Sequence, residues 1–411
     1  MKRDPLAGYD LVLLFCVLTL LALGVLMVYS ASGAPAFDTL DNPQYYLIQQ
    51  SAWGLAGLAG LAIAARLDYH RYRSLALVLL AVAAVLLAVI LVPSPLRVCA
   101  NGACRWLRIA GPVSLQPAEF AKLALILYLS AWLASKRAEL RAGKLMVPVL
   151  VVVGTIAALV VAEPDLGTTI VIVGAAMLLY FAAGARLIEF GGLGALTVVG
   201  TIALAIAQPY RVDRLRAFLD PWSYATKEGF HALQGLYALA LGGPFGEGLG
   251  AGREKFGYLP APYTDSIFAV LADELGLIGA LAVVFLFGAI VLQGLRIARR
   301  APDPHGALLA VGITASLGLQ AWINMAVVAG LVPVTGITLP FISYGGSSLL
   351  VSLTSVGILL NVGRQGSLEK RVRGDAHPAR GRRDRGSHQP TPRGERRAAR
   401  ARAVPLRLPW R

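Results

Sequence analysis

The chain has 411 residues, of which 56% are hydrophobic and 15% are charged, and its formal net charge is +15. With a mean hydropathy of +0.65, this composition excludes a soluble globular protein, because such proteins carry more charge and fewer apolar residues. The sequence predicts an all-α polytopic membrane protein, since it lacks the alternating segments of a membrane β-barrel.

Ten apolar runs are long enough to cross the hydrocarbon core, which takes roughly 20 helical residues. We therefore expect a membrane domain of ten transmembrane helices in residues 1–363. Lys and Arg collect in the turns on the side of the N-terminus, so the positive-inside rule predicts cytoplasmic N- and C-termini. The predicted spans are 10–30, 47–66, 74–93, 117–135, 145–162, 168–184, 193–208, 266–294, 307–330 and 347–363.

The loop 94–116, predicted to face outward, carries Arg105 and Arg108. Basic residues there break the positive-inside pattern and suit an anionic ligand such as a lipid-linked phosphate. Cys99 and Cys104 flank an Asn-Gly pair, a hairpin signal that places the two cysteines opposite each other. We expect a disulfide between them, because this side of the membrane is oxidising.

The fourth span begins at Pro117 and carries Glu119 and Lys122, which are three residues apart and share one helix face. Ionisable groups in a span are expensive unless they are paired or functional. Two interpretations stay open: an ion pair that neutralises itself and eases insertion, or a pair with a function.

The segment 163–169 (EPDLGTT) forms a short turn between two spans and contains Glu163 and Asp165. Asp165 is in position to cap the following helix. Two carboxylates could also bind a divalent cation, but the sequence shows no convincing ligand set. We therefore predict no certain cofactor and no metal site, with a divalent cation as the open alternative.

Residues 209–265, between the seventh and eighth spans, form a long polar loop predicted to be extracytoplasmic. Loops of this length usually carry function. Arg214, Arg216 and Lys255 are candidates to bind an anionic ligand. The alternative is that they pair with the acidic residues of the same loop: Asp213, Asp220, Glu228, Glu247 and Glu254.

Asp265 ends this loop where a long apolar helix begins. From the residues alone, Thr264, Asp265 or Ser266 could each cap that helix. Its position at the end of a long polar loop also makes Asp265 the candidate for the chemistry of this region.

Asp273 and Glu274 lie deeper in the same helix, about 12 and 13.5 Å along its axis from Asp265. We expect them to be buried partners of a cation or of polar groups such as Gln320 or Asn324. A proton or ion path is the alternative.

The C-terminal segment 364–411 contains fifteen Lys and Arg residues against four Asp and Glu residues. With its Gly and Pro content, this composition predicts a basic, disordered cytoplasmic tail. Such a tail binds anionic lipid headgroups most simply, and we do not expect it to bind nucleic acid.

Five motifs occur in a fixed order along the chain. They are NGACRWLRIAGPVSLQPAEFAKL at 101–123, EPDLGTT at 163–169, RLRAFLDPW at 214–222, GGPFGEGLGAGREKFGYLPAPYTDSIFAVLADELG at 242–276 and PVTGITLPFISYGGSS at 333–348. The set resembles the SEDS family (shape, elongation, division and sporulation), which comprises RodA, FtsW and SpoVE. The resemblance covers nearly all of residues 8–364, and its C-terminal details are closer to the FtsW branch.

The resemblance implies a multi-pass protein of the bacterial cytoplasmic membrane that polymerises peptidoglycan from lipid II, a disaccharide-pentapeptide on undecaprenyl diphosphate. It implies an inverting glycosyltransferase in which Asp265 is the general base for the acceptor GlcNAc 4-hydroxyl. Lys122 is then expected to bind the diphosphate and Glu119 to orient it. Members of the family usually have Gln where this chain has Glu163.

The resemblance also implies a class B penicillin-binding protein as partner, together with other division proteins. Two other function classes stay open. A lipid II flippase would share the many spans and the lipid diphosphate ligand, and a scaffold would recruit division proteins through its tail and loops. An Asp265→Asn variant separates a glycosyltransferase from a flippase, because transport does not need a base.

Overall fold

The computed structural model describes residues 8–100, 102–110, 113–206, 209–226, 229–255 and 259–375. Its helices are α1 (Leu11–Leu40), α2 (Tyr45–Arg66), α3 (His70–Leu91), α4 (Pro117–Ser135), α5 (Arg137–Arg141), α6 (Met146–Ala162), α7 (Leu166–Ala182), α8 (Leu187–Ile206), α9 (Pro209–Leu219), α10 (Gly229–Leu241), α11 (Ile267–Arg300), α12 (Pro304–Val328) and α13 (Gly346–Asp375). Three strands, β1 (Arg97–Ala100), β2 (Ala103–Ala110) and β3 (Val113–Leu115), lie between α3 and α4.

In the described part of the chain, seven helices are long and apolar enough to cross a membrane: α1, α2, α3, α4, α11, α12 and α13. The helices α6, α7 and α8 are apolar but have shorter apolar segments. Each of the ten predicted spans overlaps one of these ten helices. The loop predicted at 209–265 is not structureless, because it contains α9 and α10.

The predicted boundary between the membrane domain and the tail is wrong. α13 continues as a helix to Asp375, so no disordered tail begins at residue 364. Gln365, just past the predicted boundary, holds the helix to the turn between α2 and α3, since its Nε2 donates to Asp68 Oδ1 at 2.9 Å. The remainder of the predicted tail, 376–411, lies outside the described residues.

The all-α prediction is wrong for the segment between α3 and α4. There, β1, β2 and β3 form an antiparallel sheet in that order. Cys99 is paired with Cys104 in the register of β1 and β2, and the two cysteines are joined by a disulfide. The Asn-Gly signal indicated this hairpin. The third strand has three residues, too few to show an alternating pattern.

The helix α12 lies at the centre of the bundle and packs against α4, α7, α10, α11 and α13. It begins at Pro304, and its N-cap Asp303 accepts hydrogen bonds from the N–H groups of His305 and Gly306. A Cβ atom at Gly312 would lie 2.6 Å from side-chain atoms of α4 and α7. A small residue at this position therefore lets three helices pack closely.

The helix α11 breaks at Gly276, whose backbone angles (φ 68°, ψ −170°) belong to a region used by glycine. A break leaves helical backbone groups without partners, which is costly in a membrane. The loop that follows α10 supplies them. The N–H groups of Glu247 and Gly248 donate to the carbonyls of Asp273 and Glu274, both at 3.0 Å.

The loop that follows α10 can pack this closely against α11 only because it contains glycines. A Cβ atom would lie 2.0 Å from Ala272 O at Gly242, and 2.2 Å from Glu274 O at Gly246. Because both contacts are to backbone, which cannot swing aside, the glycines before Asp265 hold the loop against the broken helix.

We expect Gly276→Ala to lower the free energy of unfolding by about 2 kcal/mol or more, because the new side chain is strained at positive φ and collides with the loop backbone. Thermal unfolding in detergent measures the effect. Gly288→Ala is the matched control on the same helix, since nothing lies within 4 Å of a Cβ atom there. Equal midpoints for the two variants would contradict the role given to Gly276.

Candidate active site

Asp265 is half-buried and lies just before α11. The N-cap position of α11 is Ser266, and no side chain caps this helix. Asp265 Oδ1 instead accepts a hydrogen bond from Thr264 Oγ1 at 2.8 Å. The capping interpretation of Asp265 is therefore wrong, because among the described residues its carboxylate accepts no hydrogen bond from the first turn of α11.

Asn324 fixes the backbone beneath this carboxylate. It lies on α12, is 2% exposed, and its Nδ2 donates to Asp265 O at 2.8 Å and to Ile337 O at 2.7 Å. The residue before Ile337 is Gly336, at φ 70°. A Cβ atom there would lie 3.8 Å from Asp265 Oδ2, so the absence of a side chain lets the loop approach without covering that oxygen.

Gln320, one turn earlier on α12, connects the same loop to Lys122. Its Nε2 donates to Thr338 O at 3.0 Å and to Ser348 Oγ at 3.2 Å. Its Oε1 accepts a hydrogen bond from Lys122 Nζ. Residues four apart share a helix face, so Gln320 and Asn324 hold the α12–α13 loop between them.

Lys122 and Glu119 form a buried ion pair, with Lys122 Nζ 2.8 Å from Glu119 Oε2. The two residues are 5% and 4% exposed. An ammonium group has three N–H donors. In the described part of the chain, Glu119 and Gln320 accept two of them, so one donor is available for a ligand.

Arg105 links the sheet to the turn between α6 and α7. Its Nε donates to Glu163 O at 3.4 Å, and its Nη2 donates to the carbonyl of the following proline. Asp165 accepts a hydrogen bond from Thr168 N at 3.1 Å, as the predicted cap of α7. Asp165 Oδ2 also accepts from Gln116 Nε2 at 3.0 Å, which ties the turn to the start of α4.

Glu163 is 1% exposed, and neither of its carboxylate oxygens has a hydrogen-bond partner among the described residues. Burial, followed by the charge of Asp165, raises the pKa of Glu163 to about 8, while Arg105 acts in the opposite direction. Glu163 is therefore protonated at neutral pH.

The other arginines predicted to bind an anion lie in different environments. Arg108 is exposed on β2. Arg214 is exposed on α9 and donates to Val334 O at 3.4 Å. Arg216 is also exposed, but it lies 3.6 Å from Asp213 Oδ1, as the alternative of pairing within the loop predicted.

The prediction that Lys255 binds a ligand is wrong. Lys255 is 4% exposed, and its Nζ donates to Glu274 Oε1 at 2.6 Å, Ser30 Oγ at 2.9 Å and Gly250 O at 2.8 Å. These contacts use all three N–H donors. They also confirm the expectation that Glu274 is held by a buried cation. The polar residues of α12, Gln320 and Asn324, have other partners.

His231 on α10 is a site residue that the sequence pattern did not identify. Its Nε2 lies 2.6 Å from Ser266 Oγ. A single histidine in a polar loop has no characteristic spacing, and only the packing of α10 against α11 brings it to Asp265. Among the described residues, no group of three or more His, Cys, Asp or Glu side chains could hold a metal ion.

Residues 10–368 match the sequence profile of the FtsW/RodA/SpoVE family, described as cell cycle protein. The chain is 41% identical over 356 residues to stage V sporulation protein E of Bacillus subtilis (strain 168), a match that covers 86% of this chain and 97% of that protein. It is 40% identical over 358 residues to the probable peptidoglycan glycosyltransferase FtsW of Geobacter sp. (strain M18), covering 86% and 96%.

Solved structures share this fold. A chain of a peptidoglycan synthase complex, solved to explain how polymerization and crosslinking are coordinated, matches with a TM-score of 0.72 and 29% identity, over 88% of this chain and 99% of that one. The rod shape determining protein RodA of Thermus thermophilus matches with a TM-score of 0.64 and 28% identity, also over 88% and 99%.

We expect Glu163→Gln to stabilise the protein at pH 8.5 and to leave its stability at pH 5 nearly unchanged. The unfolded chain ionises Glu163 near the ordinary pKa of 4.5, whereas the folded chain retains the proton to about pH 8. The contribution of Glu163 to stability is thus full below pH 4.5 and falls as the pH rises toward 8. Thermal midpoints of both proteins at the two pH values test this, and parallel pH curves would contradict it.

Proposed function

We propose that this chain, which belongs to the FtsW/RodA/SpoVE family of cell cycle proteins, polymerises lipid II into the β-1,4-linked glycan strands of peptidoglycan. It is a multi-pass protein of the bacterial inner membrane. Among its relatives are FtsW and stage V sporulation proteins, so we assign it to cell division rather than to elongation.

In the proposed reaction, Asp265 is the general base. Its carboxylate takes the proton of the acceptor GlcNAc 4-hydroxyl as that oxygen forms a bond to the anomeric carbon of the donor MurNAc. The bond from that carbon to the lipid diphosphate breaks on the opposite face, and undecaprenyl diphosphate leaves with the electron pair. The α-linked donor thereby becomes a β-1,4 linkage.

The half-buried Asp265 carboxylate, which lies just before α11, is the observation that carries this proposal. Asp265 does not cap α11, and its backbone is held by Asn324. The facing loop has a glycine, Gly336, where a Cβ atom would lie 3.8 Å from Oδ2. A carboxylate fixed through its backbone suits proton transfer from a bound hydroxyl, because the base must lie within hydrogen-bond reach of the proton.

Lys122 is the proposed contact for the diphosphate, with Glu119 orienting it. Among the residues that the structure describes, Glu119 and Gln320 accept two of the three N–H donors of Lys122. Gln320 and Asn324 lie on the same face of α12, so the proposed anion contact and the proposed base are attached to one rigid element. Arg105, Arg108, Arg214 and Arg216 are the further candidates at the same surface.

A transpeptidase, a class B penicillin-binding protein, is the proposed partner. A solved chain similar to this one belongs to a peptidoglycan synthase complex in which polymerization and crosslinking are coordinated. Other division proteins are expected to join it. The basic residues after Asp375 keep their predicted role of binding anionic lipid, and no nucleic acid takes part.

We expect Asp265→Asn to abolish polymerisation without unfolding the protein, because Asn has nearly the same shape but cannot accept the proton. Purified protein with its partner is mixed with fluorescent lipid II, and glycan ladders are resolved on a gel. Asp220→Asn is the matched control, since Asp220 is an exposed acid of the outer loop that contacts Ser223. It should polymerise as wild type does.

The same preparation, reconstituted into vesicles, tests the flippase alternative. Ladders from wild type and none from Asp265→Asn support the glycosyltransferase. Movement of labelled lipid II across the bilayer by both proteins, with no ladder from either, would overturn the glycosyltransferase in favour of a transporter.

We expect Lys122→Met to lower the free energy of unfolding by about 3–5 kcal/mol, because it leaves Glu119 buried and unpaired. The double variant Glu119→Gln/Lys122→Met removes both charges and should recover most of that stability. It should nonetheless bind lipid II more weakly than wild type by about tenfold or more, if the proposed diphosphate contact is correct. Thermal unfolding and a lipid II binding titration measure the two effects separately.

A double variant that is stable and binds lipid II as tightly as wild type would contradict the diphosphate contact. The Glu119–Lys122 pair would then serve only to bury two charges safely in the bundle.

A further inference from the structure

A histidine of the long loop contacts the start of the helix that follows the proposed base. His231 lies near the beginning of α10, which packs against α11. Its Nε2 is 2.6 Å from Ser266 Oγ, and Ser266 is 1% exposed. Ser266 directly follows Asp265 in the chain and occupies the N-cap position of α11.

The hydrogen bonds of Ser266 determine which nitrogen of the ring carries a hydrogen. The hydroxyl has one hydrogen, which it donates to Pro260 O at 2.8 Å. Toward His231 the hydroxyl oxygen is therefore an acceptor, and Nε2 is the donor. When the ring gains a proton it does so at Nδ1, so its charge changes while the contact to Ser266 persists.

Charged groups on two neighbouring elements act on this ring. Burial, the largest effect, lowers the pKa of His231 below its ordinary value; Asp265 raises it and Arg214 on α9 lowers it. The helix α12, which also packs against α10, contributes the uncharged Asn324 to this region. The ring is neutral at neutral pH and becomes cationic in acid.

We propose that His231 is a positioning residue for Asp265: its Nε2–H holds the Ser266 hydroxyl and, through it, the backbone next to the Asp265 carboxylate. The proposal rests on the proposed function, in which Asp265 takes the proton of the acceptor hydroxyl. A general base must lie within hydrogen-bond reach of the proton that it takes, so a displacement of this backbone lowers the rate of polymerisation.

Two substitutions test the hydrogen bond to Ser266. His231→Gln retains an N–H donor for Ser266, whereas His231→Leu removes the donor. The kcat and the KM for lipid II of each variant, with its partner and fluorescent lipid II, are measured at pH 7.5.

For His231→Gln we expect at least half of the wild-type kcat, because the donor to Ser266 is retained. For His231→Leu we expect a loss of about tenfold in kcat with little change in KM, because the first turn of α11 is no longer held while the substrate contacts remain.

His70→Gln is the control for the substitution of a histidine. His70 begins α3, its Nε2 is 3.3 Å from Asp303 Oδ2, and its substitution should leave kcat unchanged. A kcat of His231→Gln as low as that of His231→Leu, or a kcat of His231→Leu equal to wild type, overturns the proposal.

A failure of the proposed function would give a different experimental result. If wild-type protein with its partner makes no polymer at any pH, the glycosyltransferase assignment falls, and the role of His231 falls with it. If wild type polymerises, the variants decide the role of His231 alone.

Discussion

The buried amide of Asn324 donates one hydrogen to the carbonyl of Asp265 and the other to the carbonyl of Ile337. These carbonyls lie in two chain segments that are outside any helix, and unpaired backbone groups are costly in a membrane protein. A carboxamide offers two donors on one atom, so a single side chain satisfies both. The orientation of Asp265 and the approach of the α12–α13 loop both depend on this pair of bonds.

The break in α11 at Gly276 places further irregular backbone at the end of the bundle that carries Asp265. The loop after α10 pairs with the carbonyls that the break exposes, and Lys255 from that loop neutralises Glu274. The loop is thereby bonded to the helix that begins next to Asp265, and α10 places His231 against Ser266. The described part of the polar loop predicted at 209–265 is therefore a packed part of the site.

Several local features could be predicted because they depend on neighbours in the sequence. Spacing by three residues predicted the contact between Glu119 and Lys122, and the position of Asp165 before α7 predicted its cap. The role of Lys255 could not be predicted in this way, because its partners come from α1 and α11. The same limit applies to Asp265, whose side chain bonds to Thr264 although the sequence was compatible with a cap.

Composition and the order of the motifs were enough to predict a membrane protein with ten apolar runs and the family to which it belongs. Which polar groups meet depends on the folded chain: Gln320 bonds to Lys122, Asn324 to Asp265 and His231 to Ser266. Signals in the sequence act over a short range. Periodicity and capping report on residues within about one helical turn, whereas each of these pairs is brought together only when separate helices pack.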